Sequence, residues 1–594
     1  MNRPGTALAL FLLAACRSAA PHPGAPGAVA TSYPGGALID ERTLSVAVPI
    51  VNTGTKTLSC VTVTGVSVKG GALLYSSLPQ SIRDLKAGDR AVVFATFRGR
   101  FAPEKTYTVS LEGSAGTNDP FAAKQELRLP PRSPGEATAH DGTATSHKVS
   151  GGKYPPQKPN IPPEMNQSPK WAIPMGPYHP PTRSVETKLE HAQLGDPPGI
   201  VFDRNQALGV SSDLINEPSG AAGGGIVFVS AGVVAGYSDA GNAFTTLDPT
   251  TIFPNDLGGF CCDQIVQYAP SIDRMIWYLQ YGAGARIAAA SPADIRSSHG
   301  TAWTYWDIPA ASLGFGDFDF PDLSVGDHFL YASTNAGRGF LVMRLPLDEV
   351  RDGAPALHFS YSDPKDCTMA FFGHLAQNAH DEIFWAGHNT NSSIRVFSWQ
   401  ESAQKYSWRD VNVASWSNDV AKMKSPQPDG QDWLSMLRVD NVCFIAGATR
   451  VLGGPSRVNQ VWLGWSAASD NDFPTPHIEL AALDRANNFA LVAQGQIWNS
   501  GYAFAYPAFT SSNDGELAMA FEYGGGKEWG QFAVGFWGDD AAWTLTDSDA
   551  GTTRFGDYVT IRPSAGDVHR YDAFGFGISS HSGADTHYVT FGRP

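Results

Sequence analysis

From Gly225 onward the chain repeats one hydrophobic pattern. A turn residue, usually Asp or Gly, precedes five to seven apolar or aromatic positions, and small or polar residues follow. Copies start at Gly225, Asp273, Asp327, Asp381, Asp440 and Gly515, with a looser one at Tyr571. A second strand-like run follows most copies, beginning at Arg286, Phe340, Ile394, Val461 and Phe532. A third precedes most of them, beginning at Cys262, Pro321, Gly373, Trp433, Pro507 and Gly556. Short β-rich runs recurring about every 40–50 residues are the pattern of propeller blades. One four-stranded sheet cannot bury both of its faces, so neighbouring blades complete the packing. The pattern predicts an all-β chain with a propeller over 186–594, its seven blades starting near Gln206. Six and eight blades also fit, because the wide interval from Asp440 to Gly515 has room for another hairpin.

Upstream the period changes to plain alternation. Runs at 44–52 and 58–68 flank a Thr53-Gly54 turn, and further strands are expected at 91–97 and 106–113. The phrase Val51-Asn52-Thr53-Gly54-Thr55, and residues 85–97, resemble the turn and strand phrases of bacterial immunoglobulin-like surface domains. That resemblance implies a β-sandwich over 38–130 that serves as a spacer. Residues 131–185 contain Pro155-Pro156, Pro162-Pro163 and Pro180-Pro181, which read as a semi-rigid, extended linker. The linker either lifts the propeller off a surface or docks on it through Trp171, Ile173 and Met175.

At 594 residues two or more domains are expected. A hydrophobic fraction of 42% and 11% aromatics indicate packed structure, and 62 Gly with 42 Pro fit a turn-dense β chain. The net charge of −15 excludes the basic footprint that nucleic acid requires. The N-terminus has Arg3, an apolar run over 7–13 and then Leu13-Ala14-Ala15-Cys16, a secretory leader over 1–15. Those four residues resemble the bacterial lipobox, which implies lipidation of Cys16, a flexible tether over 16–37 and residence in the cell envelope. Arg17 in place of Asp resembles outer-membrane sorting. Ordinary cleavage after a small residue is the alternative. No later apolar run reaches the ~18 residues that span a bilayer. The expected product is a lipid-anchored monomer outside the cytoplasm. Five cysteines remain beyond Cys16, and adjacent Cys261 and Cys262 either close a vicinal disulfide or point to opposite faces.

Residues 237–249 resemble the Asp box, SxDxGxTW, of sialidases and BNR-repeat proteins. Asp239 and Gly241 match, whereas Tyr237, Ala243 and Phe244 depart from the Ser, Thr and Trp of that motif. Residues 216–224 resemble the first inner strand of the same secreted propellers, and 553–563 resembles their "RWGDYS" phrase. The resemblance implies a fold and not a chemistry, because the Asp box stabilises a turn. Sialidase activity is disfavoured: the Arg-Ile-Pro motif is absent from the sequence, and adjacent Glu522 and Tyr523 point to opposite faces of a strand. Arg286, Arg338, Arg395 and Arg554 are available, but Arg286 and Arg395 start outer strands. A GxSxG elbow is also absent from the sequence.

The remaining chemistry lies where each inner strand reaches the channel mouth. Glu217, Asp263, Asp322, His374, Tyr506 and Asp557 occupy that place, one per blade in six blades. They form either a ligand-binding ring or a set of backbone caps. Asp263, Asp322 and Asp557 are the catalytic candidates if they flank a sugar at roughly 5–9.5 Å. Asp317, Asp319 and Asp322 are close enough in sequence to share a Ca²⁺ ion, without the EF-hand spacing. His374, His380 and His388 match no standard metal spacing. Trp277, Tyr278, Tyr281, Trp303, Tyr305 and Trp306 crowd one blade, and wedge packing accounts for them better than sugar stacking. The reading is a lipid-anchored propeller that binds a surface glycan or protein at its channel mouth. The alternatives are a glycoside hydrolase or polysaccharide lyase using the acidic ring, and an envelope scaffold. A carboxyl cluster within about 10 Å around a deep pocket favours the enzyme.

Overall fold

The computed structural model describes residues 29–129, 136–149, 155–159, 173–192 and 199–594, less short stretches of which 210–215, 436–444 and 451–459 are the longest. Cys16, the leader, most of the tether, Trp171, Arg338 and Arg554 lie outside the described residues. No helix among the described residues is long and apolar enough to cross a membrane.

The fold is all-β. Between Val29 and Arg128 two antiparallel sheets enclose Leu44, Val46, Val48, Val61, Val63, Phe97, Val109 and Leu111, one side of each alternating strand. This unit begins inside the stretch expected to be tether, because Val29–Thr31 pairs with residues 50–52.

From residue 201 the described chain forms seven successive antiparallel meanders. Their first strands are Ser219–Gly223, Phe260–Ala269, Phe318–Val325, Glu382–Thr390, Ile445–Arg450, Ala503–Ser511 and Thr560–Pro563, and the short strand Ala376–Gln377 ahead of the fourth pairs with the fifth sheet. Hydrogen bonds tie each sheet to the next. Val266 N donates to Ser219 Oγ at 2.9 Å, Gln280 Nε2 to Asp319 Oδ1 at 3.3 Å and Arg344 Nη1 to Gln400 O at 3.3 Å. Arg409 Nε donates to Asn488 Oδ1 at 2.9 Å, Tyr506 N to Ser466 Oγ at 3.2 Å, and Tyr571 Oη to Glu516 O at 3.1 Å. The first sheet also meets the seventh, where Gly220 N donates to Thr560 Oγ1 at 3.4 Å. The first strand of the region, Val201–Ala207, is the outermost strand of the seventh sheet, paired with Gly583–Gly592.

The wide interval in the repeat has a different cause from the extra hairpin allowed for. The fourth meander ends at Asn412 and the fifth begins at Ile445. The described part of 413–444 is a connection with one short turn of 3-10 helix, Val420–Lys422, and no strand. The copy assigned to Asp440 is therefore a first strand, and Gln460–Ala467 is the second.

Residues 131–185 do more than space. Glu136–Thr138 extends the fourth sheet, and His140–Val149 lies between the outer strands of the second and third. Further on, Gly176 N donates to Asn391 Oδ1 at 2.8 Å and Ser184 N to Gln496 Oε1 at 2.9 Å. Ile173 is buried against the fourth and fifth sheets, whereas Met175 is exposed.

The aromatic residues fill the wedges between sheets. Trp277 packs edge-on against Phe228 at 4.9 Å and Phe253 at 5.5 Å, with Trp303 at 5.2 Å. All six of the crowded blade's rings are buried.

A candidate carboxyl well on the ring axis

The first strand of each sheet runs beside the axis, so its leading end decides what the axis presents. Three of these strands are bulged there. The register shifts between Phe260 and Gln264, between Asp319 and Asp322, and between Ala505 and Ala508. A bulge inserts a residue and re-aims the side chains beside it. The first bulge contains Cys261 and Cys262, joined to each other by a disulfide, and Asp263 follows. In the second, Phe320 takes a φ of 54°. Asp557 stands just ahead of the seventh sheet's first strand at a φ of 103°, an unfavourable value for a residue with a Cβ.

These local devices bring Glu217, Asp263, Asp319 and Asp557 together from four sheets. The Glu217 carboxyl is hydrogen-bonded to both Asp263 and Asp557. The Phe320 N–H donates to Asp263 and to Asp319. Glu217 is buried, while the three aspartates are half-buried and keep some solvent contact. Burial holds the Glu217 carboxyl well above the ordinary carboxylate range, and the charges of Asp263 and Asp557 add to it. Burial likewise pushes Asp263 up to about 8, reinforced by Asp319 and Asp557, and Asp319 up to about 6. Behind them Glu522 is fully buried with neither carboxyl oxygen hydrogen-bonded, and it too is raised, by burial and then by Asp557. Three rings pack on one another beside these carboxyls: Phe320 and His374 at 5.2 Å, Phe320 and Tyr558 at 5.8 Å, and His374 and Tyr558 at 6.0 Å.

Of the six residues expected at the mouth, Glu217, Asp263 and Asp557 meet in the well and His374 is one of the rings beside it. Asp322 does not join them. Its carboxylate accepts from Leu323 N at 2.8 Å, Leu375 N at 3.0 Å and Gln377 Nε2 at 3.3 Å, with His374 Nδ1 at 3.2 Å. It serves as a backbone cap between the third sheet and the short strand ahead of the fourth, and the bulge after Asp319 is what turns it away. Tyr506 is buried beneath Gly556 and supports the segment that carries Asp557.

The Ca²⁺ set also separates. Asp317 is exposed, Asp319 faces the well and Asp322 is spent on capping. Among the described residues no group of three His, Cys, Asp or Glu side chains is placed to hold a metal ion. Of the arginines considered for a substrate carboxylate, the two that are described are paired elsewhere: Arg286 with Asp307 and Asp256, Arg395 with Asp410. Asp239 of the Asp-box-like turn pairs with Arg296 at 2.9 Å. Glu522, Asp319 and Tyr558 were missed as partners in the well. Glu522 did carry a signal, as the one acid within the apolar run 517–523.

No protein-family model matches the chain, so the sialidase and BNR resemblance has no sequence-level support. No curated protein matches it either. Among solved structures, a protein of unknown function from Dyadobacter fermentans aligns over 67% of this chain and all of its own, with 11% identity and a TM-score of 0.34. PorZ, a surface component of the type-IX secretion system of Porphyromonas gingivalis, aligns over 63% of this chain and 43% of its own, with 12% identity and a TM-score of 0.26. A GH43 glycoside hydrolase engineered for endo-xylanase and exo-arabinofuranosidase activity aligns over 66% of this chain and all of its own, with 10% identity and a TM-score of 0.22.

Proposed function

We propose that the ring is a seven-bladed propeller behind an immunoglobulin-like module, anchored at the bacterial envelope through lipidated Cys16, and that its axial well binds a glycan. The convergence of Glu217, Asp263, Asp319 and Asp557 carries this reading. Carboxyls held partly protonated both donate and accept hydrogen bonds, which matches the hydroxyls of a sugar. The rings of Phe320 and Tyr558, packed edge to face, give the carboxyls an apolar neighbourhood. Calorimetry of the full chain against oligosaccharides chosen from a glycan array tests the idea. Asp263→Asn and Asp557→Asn should each weaken binding about tenfold, equivalent to about 1.4 kcal/mol, with the fold intact. Unchanged affinity in both variants would sink it.

A second reading, acid–base hydrolysis of a glycosidic bond, is favoured by one observation. Asp263 and Asp319 both accept from the Phe320 N–H and burial raises both, so that one can hold a proton while the other accepts one. It predicts reducing-sugar release that Asp263→Asn abolishes while binding persists. Absence of turnover on every bound oligosaccharide removes this reading and leaves binding.

A further inference from the structure

A cavity of about 430 Å³ lies between the fourth and fifth sheets. One wall is the last strand of the fourth meander, Lys405–Asn412, and the other is the turn 485–489 between the last two strands of the fifth. Its size falls within the range of about 300–1,000 Å³ usual for small-ligand clefts. At the buried end Glu382 is only 4% exposed, and its Oε2 accepts from Arg485 Nε at 2.6 Å. Ser398 also favours the carboxylate, yet Glu382 Oε1 has no donor in hydrogen-bond geometry. Arg485 spends Nε alone on that pair, and its two Nη groups hydrogen-bond no described residue. Lys405 is exposed and forms no ion pair with a described residue. Arg409 spans the two walls, its Nε donating to Asn488 Oδ1 at 2.9 Å.

We infer that this cavity is a second saccharide site, taking a sugar acid whose carboxylate meets Arg485 and Lys405 and whose hydroxyl donates to Glu382. A guanidinium with its Nη groups open matches a carboxylate through two parallel N–H bonds, and an ammonium beside it adds a point charge. Phosphate suits the same fork, but Glu382 already sits on this guanidinium and repels a dianion more than a monoanion. A buried acceptor without a donor is costly in a folded chain, and a sugar hydroxyl supplies the missing donor. Gln400, Ser407 and Asn488 complete the lining with side chains that both donate and accept, as a ring of hydroxyls requires. The site stands apart from the axial reading, because no member of the carboxyl cluster lines this cavity.

Calorimetry of the full chain with four probes tests this: a galacturonate trisaccharide, the neutral galactose trisaccharide, propionate as a carboxylate without hydroxyls, and inorganic phosphate. The uronate should bind at least about tenfold tighter than each of the others, and less tightly as salt is raised. Arg485→Lys keeps a positive charge beside Glu382 but loses the fork, and should weaken the uronate about tenfold. Lys405→Gln, an exposed change that leaves the Glu382–Arg485 pair alone, should weaken it about threefold to tenfold, with thermal melting as the check on folding. Asp263→Asn reports on the axial site. Uronate affinity that survives Lys405→Gln, or that falls in Asp263→Asn instead, overturns the second site. Equal affinity for the neutral and acidic trisaccharides overturns the acid, and propionate or phosphate matching the uronate overturns the sugar. A parent chain that binds no uronate removes this proposal alone, since the axial reading is judged on its own oligosaccharides and variants.

Discussion

Asp263 shows how one residue can be read in the chain and still hold a surprise. Its place at the start of an inner strand was legible, because the repeat puts an acid there more than once. Its elevation to about 8 was not, since that depends on Glu217, Asp319 and Asp557 arriving from other sheets. The elevation has a consequence for stability. The folded state holds a proton that the unfolded state, with an ordinary value of 3.8, releases earlier. This contribution is therefore complete below about pH 4 and is lost progressively as pH rises toward about 8. The melting temperature should fall across that window, and Asp263→Asn should flatten the fall; an identical slope in the variant would assign it to other groups. Gly556 makes a second residue-scale case. It sits at a φ of 105°, and a Cβ there would lie 2.2 Å from the ring of Tyr506. Gly556→Ala should cost about 2–4 kcal/mol by denaturant unfolding and displace Asp557, weakening the site as well as the fold.

At the scale of elements, second strands were the most readable, because both of their faces are buried and they appear as unbroken apolar runs. Arg274–Tyr281, Phe329–Ala336 and Leu517–Gly525 stand where the pattern put them. The same rule misled at Ile445–Arg450, a first strand as apolar as a second one and preceded by an Asp nearby. Bulges were illegible for a physical reason. One inserted residue exchanges the faces beyond it, and nothing in the composition marks the insertion. Hence Asp319 faces the axis where Asp322 was expected. The proline-rich segment hid its role differently, since apart from the buried Ile173 it is held by scattered hydrogen bonds and not by an apolar run. Ser184 Oγ accepts from Gln496 N at 2.8 Å, and Trp498 Nε1 donates to Ser184 O at 2.8 Å. Ser184→Ala strands the Gln496 N–H and should cost about 1–2 kcal/mol. Proteolysis within 155–185 should accelerate in step with that loss. Unchanged cleavage would mean the segment is held elsewhere.

For the molecule as a whole, the seam of the ring is the decisive feature. The chain enters through Val201–Ala207 and leaves through Gly583–Gly592, and pairing of these two strands completes the seventh sheet. Pairing the two covers a sheet edge that each strand would otherwise expose. The seam also passes through the well, because Glu217 stands on one side of it and Asp557 on the other. Closure and ligand binding should therefore be coupled: whatever bridges these two carboxyls favours the closed ring. Phe202, buried against Phe591 at 6.1 Å, offers a way to loosen the seam without touching the well. Phe202→Ala should lower stability by about 3–4 kcal/mol and speed amide exchange in 201–207. Adding the bound oligosaccharide should slow that exchange again, in the variant more than in the parent. Exchange that ignores the ligand in both proteins would show that the well forms independently of the seam.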